Sequence, residues 1–234
     1  MQYPLGNISA LSKAGVRFLA ASPETMLAPG APTSVAEAIA RHAGDPKSMA
    51  KAIVDRVMHA RYDAGDGERF APAAAFDVFD LAPEKVGVME RSVSELNAAL
   101  SAAAQRRPLR AAIREDARAI DGMVRFPGSG GLPWHADRPA LALYETLAAD
   151  GRLPGNVREA ARHAHAAVAG LVLAHAESDG FAPFDGADYS DAAGPTVHFP
   201  VTKRQIDAWA PQVSETDNAF YAGSGADELS RRLT

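Results

Sequence analysis

Three short apolar runs, set far apart by long amphipathic stretches, constrain the fold of this chain more than any other feature. Val16, Phe18, Leu19 and Ala20 form the first, closed by Ser22-Pro23 and suited to a strand buried on both faces. The second, AAAFDVFDL from Ala73 to Leu81, alternates Phe76, Val78 and Asp80 with Asp77, Phe79 and Leu81, as a central strand does. The third, GPTVHFP from Gly194 to Pro200, is short and bracketed by prolines.

Helices are predicted between them. Ser34-Val35-Ala36-Glu37 has capping-box spacing and opens a helix to about residue 43. Asp45-Pro46 offers an N-cap with proline in the first turn, and Met49, Ile53 and Val57 with Ala50, Val54 and Met58 carry one apolar stripe to Tyr62. Pro83 starts a long helix with Val86, Met89, Val93, Leu96 and Leu100 on its core face. Further helices are expected at 107–120, 139–150 and 156–177. Thr202 caps a short one through Trp209, and 202–234 reads as a helical, partly frayed tail on a single domain spanning 1–234.

Strands joined through helices imply right-handed crossovers, so the expected fold class is three-layer α/β: a mainly parallel sheet with helices on both faces. Three strands against six or seven helices leave sheet edge uncovered, and the sheet is expected to be incomplete on its N-terminal side.

Composition removes several functions. The chain has 234 residues, 47% apolar and 23% charged, which suits a globular domain with a real core. Its net charge of −5, with no evident clustering of Lys and Arg, argues against nucleic acid and anionic membranes as partners. The start, Met1-Gln2-Tyr3-Pro4, has no signal-peptide pattern and no run approaches a membrane span, so the chain as written reads as cytoplasmic. With no cysteine, it has neither disulfides nor thiolate ligands nor a thiol nucleophile.

The segments VRFLAASPETMLAPG, AAAFDVFDLAPEKVGVMERSVSELNAAL and DAAGPTVHFP, in this order and spacing, resemble the clostripain-like cysteine peptidases, which have a caspase-like fold. The resemblance spans the family's C-terminal part. It implies a nucleophilic cysteine in an Asp-x-Cys-Leu-Met segment, with Met1 falling just past it, and a general-base histidine further upstream. Neither has a matching position here, so the chain alone is expected to be inactive, with the catalytic pair supplied by an upstream segment. The family's loop after the strand that follows the cysteine lines the pocket for a basic substrate residue. Glu24 matches its acid, with Ser22 and Thr25 as neighbours.

A carboxylate facing a guanidinium explains such specificity, and a peptide or protein substrate cut after a basic residue follows. The same four residues, Ser22 to Thr25, also read as a solvated turn or helix cap. A second function remains open: a non-catalytic interaction or structural domain that forms homo-oligomers through its uncovered sheet.

Other motifs are weaker. Asp185, Asp188 and Asp191 offer carboxylates to calcium without EF-hand spacing, and read more simply as an acidic turn; no cofactor is otherwise expected. His163 and His165 point to different helix faces, and His198 reads as a sheet histidine. FPGSGGLPWH, residues 126–135, lacks the nucleophile-elbow pattern, and AGSGADE lacks the lysine of a phosphate loop.

Overall fold

The computed structural model describes residues 5–21, 33–59, 62–63, 69–70, 75–120, 137–177, 193–209 and 219–234. The chain runs α1 (Leu5–Lys13), β1 (Phe18–Ala21), α2 (Ser34–Arg41), α3 (Pro46–Met58), β2 (Tyr62–Asp63), β3 (Arg69–Phe70), β4 (Ala75–Asp80), α4 (Pro83–Ala104) and α5 (Arg107–Ala119). It continues through β5 (Asp137–Pro139), α6 (Ala140–Ala149), α7 (Gly155–Ala169), β6 (Val172–Glu177), β7 (Thr196–His198), α8 (Lys203–Trp209), α9 (Ala219–Ser224) and α10 (Ala226–Leu233).

β4 is the central strand of a three-stranded sheet ordered β1-β4-β6. Its alternation separates two cores. Phe76 and Val78 pack with Ala50, Ile53, Val54 and Val57 of α3. Phe79 and Leu81 join the larger core, built on Met89, Leu96 and Leu100 of α4 with residues of α1, α6 and α7. Helices therefore cover both faces, as expected.

The sheet is not mainly parallel: β1 pairs with β4, β4 with β6, and β5 with β7, each antiparallel. A single crossover helix returns a chain parallel. Here the helix pair α2 and α3 lies between β1 and β4, and four helices lie between β4 and β6, so the strands come back reversed. Among the described residues β1 is also an edge strand, and it exposes Ala20, rather than being buried on both faces.

Local signals explain most boundaries. The Asp45 carboxylate accepts the Lys47 and Ser48 N–H groups at 3.1 and 3.4 Å, with Pro46 opening α3. The Ser34/Glu37 capping box does not form: Thr33 occupies the N-cap without a side-chain bond, and Glu37 pairs instead with Arg41. Thr202 Oγ1 accepts the Gln205 N–H at 3.3 Å before α8. In α10, Leu229 and Leu233 are buried.

The helix expected over 156–177 ends early. α7 stops at Ala169, and after Gly170 and Leu171 the six residues Val172–Glu177 form strand β6. At Gly170 an added Cβ would meet the Ala166 carbonyl at 3.3 Å, a tight contact that glycine relieves as the chain turns.

A carboxylate cluster ties α5 to the α6–α7 turn. Arg152 binds Asp150 at 2.9 Å, Asp116 at 3.1 Å and Glu115 at 2.5 Å. Burial and the adjacent Asp150 carboxylate raise Asp116 to about 7, against the opposing pull of Arg152. A raised acid favours the folded state while protonated, so this stability is lost as pH rises from about 4 through about 7. Asp116→Asn mimics the protonated acid. The variant is expected to exceed the wild type in Tm at pH 8 and to show a markedly smaller advantage at pH 5; an equal shift at both values contradicts the assignment.

Candidate functional site

The candidate site lies at the end of the sheet where β1 finishes and β4 begins. In the strand register Asp77 stands opposite His175 of β6 on one side and Ala21 of β1 on the other. Asp77 is fully buried, and its Oδ1 lies 2.8 Å from His175 Nδ1. Its Oδ2 accepts the Gly194 N–H at 3.3 Å. Gly194 reaches that position with φ +81°, and a Cβ there would meet Leu141 at 3.1 Å, so the contact depends on glycine.

His175 is 24% exposed, and its Nε2 faces Glu177 Oε2 at 3.6 Å. Residues 175 and 177 share a strand face because side chains alternate along a strand. Burial raises the Asp77 carboxyl against the lowering effects of His175 and the Gly194 N–H. The hydrogen bond to Asp77 raises His175 above its ordinary value, despite partial burial. The pair thus holds a proton more tightly than its parts in water.

This arrangement fixes the imidazole through Nδ1 and leaves Nε2 toward solvent and Glu177. A carboxylate in that position orients a histidine as a proton acceptor or as a binding group. No group of three or more His, Asp or Glu among the described residues is placed to hold a metal ion.

At the opposite end of β4, Asp80 sets the start of α4. It pairs with Lys85 at 2.9 Å and Arg17 at 3.1 Å, and accepts the Ala82 N–H at 3.1 Å. Burial acts to raise its carboxyl, but these partners outweigh burial and hold it below the usual range.

Ser22, Glu24 and Thr25 lie outside the described residues, as do Asp185, Asp188 and Asp191 and the 126–135 loop. The strand leading to the first group ends at Ala21, beside Asp77. His163 is exposed and His165 half-buried on α7, while His198 is buried on β7 opposite Asp137. His175 lies on β6, in the stretch 156–177 whose pattern predicts helix, and a helix there offers it no cross-strand acid. A signal existed in Asp77: an acid in the middle of a central strand needs a buried partner.

No family model matches the sequence, and no curated protein matches it. Among solved structures, the chain is similar to a B. fragilis cysteine protease, with a TM-score of 0.58 at 17% identity, over 97% of this chain and 84% of that one. At that identity the likeness shows the fold. No helix among the described residues is long and apolar enough to cross a membrane.

Proposed function

We propose that this chain is the C-terminal portion of a clostripain-like cysteine endopeptidase that cleaves after basic residues, with thiol and general base supplied by another segment. The reading is carried by the likeness to a cysteine protease fold over 97% of a chain that contains no cysteine. Catalysis by a thiolate pair needs nucleophile and base within hydrogen-bond reach, so these 234 residues alone are inactive. Glu24 is the proposed acid for the substrate's Arg or Lys, in the segment that follows Ala21. The Asp77–His175 pair then borders the substrate side of the sheet end as a positioning element.

In an active complex, Glu24→Gln is expected to lower kcat/KM for an arginine reporter peptide by roughly tenfold or more, the loss of a charge-assisted contact. Equal kcat/KM in both would overturn the pocket assignment. Hydrolysis by the pure chain would overturn the proposal as a whole.

A non-catalytic domain that self-associates is the second reading. It is favoured by the two open edges, β1 and β6, of the three-stranded sheet among the described residues. Concentration-dependent sedimentation of the pure chain supports it, and a monomer at all concentrations removes it.

A further inference from the structure

We propose that the outer face of α5 is a docking surface for an acidic helical segment of a protein partner. Arg106, Arg110, Arg114 and Arg118 follow one another at four-residue spacing, with Arg107 beside them. They form a ladder about 18 Å long at the usual helical rise. Contrary to the expectation of no clustered Lys and Arg, the chain carries this local basic cluster despite its net charge of −5.

The ladder works against the helix that carries it. Like charges four residues apart repel along a helix face. Arg106 and Arg107 sit at the positive end of the helix dipole, where no acid occupies the first turn and the N-cap makes no side-chain bond. None of the five guanidinium groups forms a hydrogen bond or ion pair within the described residues. The neighbouring acids are engaged elsewhere, Glu115 and Asp116 both on Arg152. Arg106, Arg107 and Arg118 are exposed, and Arg110 and Arg114 half-buried. The opposite face is anchored by Leu109, Ala112, Ile113 and Ala117, so the ladder is held rigidly. Unfavourable charge retained on a rigid face points to a partner that relieves it.

The chemistry selects among anions. Arginine engages carboxylates and phosphates bidentately. Among the described residues, the groove lined by Arg107, Arg110, Ala111, Arg114, Glu115 and Arg118 has no aromatic side chain on which a base would stack. Carboxylates spaced four residues apart on an acidic helix match the ladder rung for rung.

The test uses the full chain and a fluorescein-labelled alanine-rich peptide with glutamate at every fourth position, read by fluorescence anisotropy. The wild type is expected to bind it, more weakly at about 200 mM than at about 50 mM salt. R110E/R114E is expected to weaken binding at least about tenfold, and R110Q/R114Q, which keeps side-chain length, to weaken it by an intermediate factor. Both variants should match or exceed the wild type in Tm, since repulsion is removed. Unchanged affinity in the Gln variant overturns the proposal. So does tighter wild-type binding to oligo-dT or phosphatidylserine vesicles than to the peptide.

Discussion

His175→Ala is expected to destabilise the fold by about 3–5 kcal/mol near pH 8, the cost of leaving a buried charge without its partner. Asp77 has no solvent exposure, and the truncation leaves its carboxylate with only the Gly194 N–H at 3.3 Å. The pH dependence follows from the signs. Asp77 and His175 are both raised in the folded state, so each contributes stability that is present at low pH and lost as pH rises through its folded value. In the variant, Asp77 is raised further and takes up a proton that its unfolded form lacks, so the deficit narrows toward pH 5. The double variant D77N/H175A removes the charge and should recover part of the loss. A cost below about 1 kcal/mol, or a double variant no more stable than the single, contradicts a buried charge pair.

Leu100→Ala is expected to cost about 2–5 kcal/mol, the range for a truncation that leaves a cavity in a close-packed core. Leu100 is fully buried on α4, in the core that also holds residues of α5, α7, α9 and α10. Val88 on the same helix is 44% exposed, and its replacement by alanine should fall within about 0.5 kcal/mol of neutral. Denaturant titration distinguishes them through the midpoint at constant slope. Similar midpoints for the two variants would remove α4 from the centre of the packing.

Periodic, strongly patterned segments were legible in the sequence. The core stripe of α4, the Asp45 cap of α3 and the two faces of β4 follow from side-chain spacing alone, because one partner surface decides each of them. β6 was not legible. Val172 is its only β-branched residue, and alanines on both sides of the α7–β6 junction gave Leu171 to Glu177 a helical look. Losing β6 also concealed His175, whose role depends on a cross-strand neighbour 98 positions away. Strand direction depends on how many helices intervene, and the helix pair between β1 and β4, legible in the local patterns, already points to an antiparallel return. The arginine ladder was visible letter by letter but disappeared in a sum over the whole chain. Glu24 stands on the sequence resemblance and on the position of Ala21 beside Asp77.

The most direct test of the central claim is thiol labelling of the protein isolated from its native source. An arginine-directed, thiol-reactive peptide probe is applied, and the intact masses of all co-purifying species are read. The account predicts label on an associated segment carrying an Asp-x-Cys-Leu sequence, none on the 234 residues themselves, and loss of arginine-peptide hydrolysis with labelling. Absence of any labelled species, or hydrolysis that survives complete thiol alkylation, would contradict it.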